Sequence, residues 1–189
     1  MTTTVFVLLY CNLSLIGSLP RLFFRADGKF NLKWWLTAAP FFLSGLGLLL
    51  CQTGVLTPLF PGYPVWRESI AVILAACSIG LIGFTLGSHR IPLALWHQDN
   101  DAPASLVTHG AYARIRHPFY SAFLLCLIAA ALACPHPVTL ACVGFSAVML
   151  NLTAAREEKN LLASDFGAAY RAYLQRSGRF LPRLRSASA

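Results

Sequence analysis

The sequence is short of charge. Of its 189 residues only 12% are Asp, Glu, Lys or Arg, while 57% are hydrophobic; soluble domains carry roughly 25% charge. An ordinary water-soluble globular protein is therefore excluded, because so large an apolar share does not fit inside one aqueous core of this length. Acidic residues are the scarcest, seven against fifteen Lys and Arg. The resulting surplus of +8 would suit nucleic acid if it were gathered on one polar face, but the basic residues lie between apolar runs, which points to membrane topology and to no nucleic-acid partner. The signatures of soluble catalysis are missing as well: there is no P-loop, no H-E-x-x-H and no G-x-S-x-G. The pair Gly45 and Gly47 opens like a dinucleotide fingerprint, but Leu50 stands where its third glycine belongs and no strand precedes it. No C-x-x-C pair occurs. The six cysteines (Cys11, Cys51, Cys77, Cys126, Cys134 and Cys142) lie in or beside apolar stretches and read as small apolar fillers, so no metal site is expected.

What is present is a series of long uncharged runs. A crossing helix needs about 20 mainly apolar residues, and five stretches qualify, at 3 to 20, 35 to 57, 69 to 88, 118 to 134 and 137 to 155. The first is not a secretory signal, since its positive charges follow the apolar run instead of preceding it. No charged residue occurs between Pro118 and Ala155, and Pro135-His136-Pro137 interrupts that run, so the last two spans are expected to form a helical hairpin. Uncharged spans argue against an ion channel or proton pump, which need ionisable groups at depth. With five spans, 14 of the 15 Lys and Arg residues fall on one side and only Arg67 on the other. Because positive residues stay inside, the N-terminus is expected outside and the C-terminus in the cytoplasm. The expected fold is thus an all-α integral membrane protein of one domain, 1–189, with about five transmembrane helices. Residues 1–95 form a scaffold of three spans, and 96–185 a loop, the hairpin and a C-terminal amphipathic helix. Gly80, Gly83 and Gly87 are expected to let the third span approach a neighbour closely.

Polar chemistry collects in two stretches, 96–121 and 156–182, which the hairpin brings together. The first is dense in His, Arg and Tyr. The second has Leu161, Leu162, Phe166, Tyr170 and Tyr173 near helical spacing. Most of the arginines read as anchors on anionic lipid head groups, at about 1 kcal/mol each, and Tyr112 and Tyr120 can be read as residues of an interfacial aromatic belt. Glu157 and Glu158 fit that reading less well, because adjacent carboxylates gain nothing from an anionic surface; they call for a cation.

The string Leu106-Val-Thr-His-Gly-Ala-Tyr-Ala-Arg-Ile-Arg-His-Pro-Phe-Tyr120, followed by an apolar hairpin, Arg156-Glu-Glu, Phe166-Gly, Tyr170, Tyr173 and Arg179-x-x-Pro182, resembles the isoprenylcysteine carboxyl methyltransferase family and its phospholipid methyltransferase relatives. The similarity covers residues 96 to 183, about half of the chain; the first three spans match only in being hydrophobic. The resemblance implies S-adenosylmethionine as cofactor, held at the cytoplasmic membrane interface by the hairpin and the C-terminal helix. By matched position it implies cofactor contacts from Gln98, Ser105, Leu106, Val107, Tyr112, His117, Pro118, Phe119 and Tyr120, with Glu158 on the amino group. A carboxylate-to-ammonium bond in a water-poor site is a strong one, and Tyr112 and Tyr120 offer aromatic faces to a cation.

Methyl transfer is an in-line displacement in which positioning supplies most of the rate. A carboxylate acceptor is already ionised at neutral pH and needs an arginine to hold it, for which Arg156 is the candidate, although the family's substrate arginine matches nearer Ala154. An amine acceptor would instead need a base, Glu157 or His109. Uncharged spans favour a lipophilic acceptor entering from the bilayer, with membrane lipids as surroundings. The expected location is a multi-pass place in a bacterial cytoplasmic membrane in preference to the endoplasmic reticulum. Two alternatives stand beside this: an NADPH-dependent sterol or steroid reductase, which shares the R-H-P hairpin but follows it with Asn-Tyr where this chain has Phe119-Tyr120, and a non-catalytic scaffold.

Overall fold

The computed structural model describes residues 1–17, 24, 27–60, 62–88 and 106–183. Within them the chain is helical: α1 (Thr3–Gly17), α2 (Leu32–Gln52), α3 (Val65–Ser88), α4 (Pro118–Ala133), α5 (Pro137–Leu162) and α6 (Gly167–Arg176), with one turn of 3-10 helix at Gly110–Ala113. Each apolar run therefore corresponds to one helix, but the ends move for local reasons. Helix α2 starts at Leu32 because the Asn31 side chain accepts from the Trp34 N–H. It stops at Gln52, ahead of Gly54 at a positive φ of 75°. Helix α3 begins directly after Pro64, and its Arg67 is buried against the Gly62 carbonyl and the Tyr63 ring. The turn at Pro135-His136-Pro137 is a capping box: His136 accepts from the Val138 N–H and Thr139 accepts from the His136 N–H. This makes α4 and α5 the antiparallel hairpin expected of the last two runs.

The change with the largest effect on the site is at the end of α5. The expected span ended at 155, yet the helix continues to Leu162 and carries Arg156, Glu157, Glu158 and Lys159 with it. The amphipathic stretch 156–182 is consequently two helices. Ser164 accepts from the Phe166 N–H and donates to the Leu161 carbonyl, and a Cβ on Gly167 would lie 2.5 Å from the Leu162 carbonyl oxygen, so the chain turns sharply before α6.

Three helices, Trp34–Gln52, Val65–Ser88 and Pro137–Leu162, are long and apolar enough to cross a membrane. Among the described residues α1 and α4 are shorter, at 15 and 16 residues, or about 23–24 Å of helix. Helix α4 is the hub, in contact with α1, α2, α3 and α5. Its interface with α3 is built from small residues, but not from the glycines expected to serve. Gly80, Gly83 and Gly87 are exposed on the outside of α3, with nothing within 4 Å of an added Cβ. The buried stripe is Ala71, Ala75, Ser78, Ile82 and Thr85, alternating four- and three-residue steps along one face. Against it packs α4, whose buried residues include Ala122, Cys126, Ala129, Ala130 and Ala133, and the Ser78 hydroxyl donates to the Ala122 carbonyl at 2.7 Å.

The cysteines also depart from the uniform expectation. Cys126 and Cys142 are buried, as fillers would be, but Cys51 and Cys134 form a disulfide between the C-terminal end of α2 and the α4–α5 turn, across a sequence separation of 83. Sequence spacing carries no information on such a pair. At that same end the Leu59 N–H donates to the Pro135 carbonyl at 2.7 Å.

Replacing Ala75, which is fully buried, by Leu is expected to overpack the inner face of α3 and cost about 1–3 kcal/mol. The same replacement at exposed Gly83 is expected to leave the thermal midpoint in detergent unchanged or raised.

Candidate functional site

The end of the bundle opposite the disulfide gathers the polar residues. The 3-10 turn Gly110–Ala113 is docked on the last turn of α3, where the Ala111 N–H donates to the Ser88 hydroxyl at 3.1 Å. Gly110 has φ +59°, and a Cβ there would lie 1.9 Å from the Ser88 oxygen, so both backbone conformation and space require glycine. Downstream, the chain between this turn and α4 pairs with the segment after α6. Ile115 and Gly178 form a parallel bridge, in which Gly178 N–H donates to Arg114, Arg116 N–H to Gly178 and His117 N–H to Arg179. The Ser121 hydroxyl adds a 2.6 Å bond to the Phe180 carbonyl. The C-terminal segment is thereby fixed across the start of α4.

These two strand-like pieces carry side chains onto the end of α5. Glu158, whose side chain is 9% exposed, receives Arg116 Nε at 2.9 Å, Arg179 Nη2 at 2.6 Å, Arg179 Nε at 3.2 Å and His117 Nε2 at 3.3 Å. Arg116 also donates through Nη1 to the Ser177 carbonyl. Arg179 Nη1 donates to Asn151 Oδ1 at 2.7 Å. Burying one carboxylate costs several kcal/mol unless it is paired and hydrogen-bonded, and here two guanidiniums meet it. Glu157 is more open, 38% exposed; the Tyr120 hydroxyl donates to its Oε1 at 2.7 Å, and its Oε2 lies 3.4 Å from His117 Nδ1. The His117 ring stands between the two glutamates and stacks on Tyr120 with ring centres 5.3 Å apart.

Tyrosines close the cluster from the other side. Tyr170 and Tyr173 form the buried face of α6, and the Tyr173 hydroxyl donates to the Tyr112 carbonyl at 2.5 Å. Burial raises the pKa of Tyr112 and of Tyr173 to about 12, and Tyr170 is raised too by burial and by Glu158; all three are neutral hydroxyls at physiological pH. The Glu158 bonds push the Arg179 guanidinium upward.

Of the residues singled out from the sequence, the structure brings together Tyr112, His117, Tyr120, Glu157 and Glu158. Leu106 and Val107 are half-buried ahead of the 3-10 turn. Pro118 is the first residue of α4, and Phe119 is buried, its ring directed at Phe123 in the bundle core, so at Phe119 only the backbone is available to a ligand. Arg156 is exposed; two positions from Glu158 it projects about 200° away around α5, outside the cluster. His109 is exposed. Gln98 and Ser105 lie outside the described residues. The partners not assigned from sequence are Arg116 and Arg179. Their signal was there, in the R-H-P string and in Arg179-x-x-Pro182, but only the parallel bridge shows that both reach one carboxylate. Among the described residues no group of His, Cys, Asp and Glu side chains is arranged to hold a metal ion.

Removing Arg116, for instance as Arg116→Gln, takes one of two guanidiniums from a carboxylate that water barely reaches. An unfolding cost of about 2–3 kcal/mol is expected. Glu157→Gln, at a more exposed carboxylate, should cost about 1 kcal/mol or less, and urea or thermal unfolding in detergent compares the two.

No curated protein matches the chain. The family model for the isoprenylcysteine carboxyl methyltransferase (ICMT) family matches residues 70–164, a stretch that runs from the first turns of α3 through the 3-10 turn and the hairpin to the end of α5. That is just over half of the sequence, it contains both glutamates and the His117-Tyr120 pair, and it begins and ends on the elements that build the cluster: the chain belongs to the isoprenylcysteine carboxyl methyltransferase family.

Proposed function

We propose that this protein is an S-adenosylmethionine-dependent methyltransferase that acts at the cytoplasmic face of a membrane on a lipophilic acceptor, by carboxyl O-methylation of an isoprenylcysteine-like molecule. The family supplies the class of reaction. The observation that carries the cofactor assignment is the pair of adjacent carboxylates placed beside aromatic rings at one end of an apolar bundle. A ligand with an ammonium and a sulfonium needs anionic acceptors and π faces, and the cluster offers both.

In this reading Glu158 takes the amino group. Its Oε2 receives a single donor among the described residues, Arg179 Nη2, and so keeps acceptor capacity. Tyr112, His117, Pro118, the Phe119 backbone and Tyr120 line the place, with Leu106 and Val107 as apolar contacts; Gln98 and Ser105 complete the proposed set. The cofactor supplies an electrophilic methyl group, and the protein's share is orientation and exclusion of water. A carboxylate acceptor needs no base, which leaves Glu157 to stabilise positive charge and to fix Tyr120. The proposal takes all five apolar helices as crossings, with the N-terminus outside and the C-terminus in the cytoplasm, so that the cluster would lie at the inner interface of a bacterial cytoplasmic membrane. The lopsided distribution of Lys and Arg supports that orientation.

Calorimetric titration of the detergent-purified protein with S-adenosylhomocysteine is expected to show saturable binding, and titration with NADPH none; binding of NADPH alone would overturn the proposal in favour of a reductase. Glu158→Gln should weaken S-adenosylhomocysteine by about 1.5–3 kcal/mol. An unchanged affinity in a folded Glu158→Gln protein would remove Glu158 from the cofactor site.

A further inference from the structure

The charges around Glu158 are unevenly shared. One buried carboxylate holds two guanidiniums, and these are held differently. Arg116 has a side chain 11% exposed, with Nε on Glu158 and Nη1 on the Ser177 carbonyl. It is fixed from both sides and belongs to the packing. Arg179 is 33% exposed. Of its five N–H groups, Nε and one on Nη2 grip Glu158 and one on Nη1 reaches Asn151, which leaves two N–H groups without a partner among the described residues.

The position of Asn151 shows what those groups face. It lies seven residues before Glu158 on α5, two turns or about 10 Å deeper along the bundle, and it is exposed. Its exposed neighbours on the same helix are Val148 and Leu152, both apolar. Arg179 therefore stands where the polar cluster opens onto the apolar outer surface of α5. Its main chain is fixed there, because His117 N–H donates to the Arg179 carbonyl and the next residue is tied to Ser121. A planar cation with free donors at such a boundary matches an amphiphile with an anionic head and a hydrocarbon tail.

We propose that Arg179 is the arginine that binds the acceptor's carboxylate, and with it a determinant of acceptor specificity; the proposal rests on the methyltransferase reading. Arg179 lies beyond the matched stretch 70–164, in the C-terminal segment that the parallel bridge brings back to α4. With the head group seated on Arg179, one carboxylate oxygen attacks the methyl carbon of the S-adenosylmethionine sulfonium. A carbon–oxygen bond forms, the carbon–sulfur bond breaks, and its electron pair returns to sulfur to give a neutral thioether. No proton moves. The product is an uncharged ester with a weaker hold on the guanidinium.

The test uses the full chain in detergent, with steady-state methylation of an S-prenylated N-acetylcysteine and calorimetric affinity for S-adenosylhomocysteine measured in parallel. Arg179→Gln is expected to raise the acceptor KM about 10- to 100-fold. The same change should leave S-adenosylhomocysteine affinity unchanged or tighter, since Glu158 loses a competing cation. Arg179→Lys, which keeps the charge but not the fork, should recover part of the KM. Arg183→Gln, an equal loss of charge on the same exposed segment, should change neither. Parallel weakening of cofactor and acceptor in Arg179→Gln, or an unchanged acceptor KM, would overturn the proposal. So would a wild-type protein whose only acceptor is a phospholipid amine. A wild-type protein that neither binds S-adenosylhomocysteine nor transfers methyl overturns the underlying reading as well, whereas an active wild type with an indifferent Arg179 overturns the clamp alone.

Discussion

A buried carboxylate in this bundle has to be met by cations, and the arrangement of the C-terminal half follows from that requirement. Glu158 sits 9% exposed at the end of a long apolar helix, where an unpaired charge would be neutralised or would unfold the turn around it. Its cations come from two places far apart in sequence, Arg116 before α4 and Arg179 after α6. Bringing them together requires the parallel bridge of Ile115 with Gly178, and hence requires α6 to lie against α5 and the 3-10 turn. The two tyrosines on the buried face of α6 fill the space this leaves, with Tyr173 tying α6 to the Tyr112 carbonyl.

The rest of the bundle supplies a rigid base for this cluster. Helix α4 is sheathed by four neighbours and reaches the cluster through Pro118 and Tyr120, while α5 reaches it through Glu157 and Glu158. The small-residue stripe on α3 allows close contact with α4, as in membrane helix packing generally, where no hydrophobic force separates helix from lipid and van der Waals fit decides. The capping box at His136 and the disulfide from Cys51 to Cys134 close the opposite end. A displaced hairpin would therefore be felt at both ends, since the two glutamates lie within its second helix.

Much of this architecture could be read from residue order. Five apolar runs became five helices, and Pro135-His136-Pro137 became the reversal, because uncharged length and proline act locally. The association of Tyr112, His117 and Tyr120 with the glutamate pair was likewise legible from the motif. Part of what was not legible is the rotational setting of helices about their axes. Gly80, Gly83 and Gly87 have the spacing of a contact face, yet Ala71, Ala75, Ser78, Ile82 and Thr85 make the contact. Arg156 adjoins the glutamates in sequence, yet the helix turns it away.

The sequence alone determined the apolar character of the chain, its segmentation into helices and the chemical types available at the site, since all of these follow from composition and local pattern. Tertiary structure alone decided which cations meet which carboxylate. A salt bridge over 42 or 21 residues, such as Arg116 or Arg179 with Glu158, depends on the path of the chain between its partners. The disulfide depends on that path in the same way, and it is the same path that brings the two cations to the carboxylate near the end of α5.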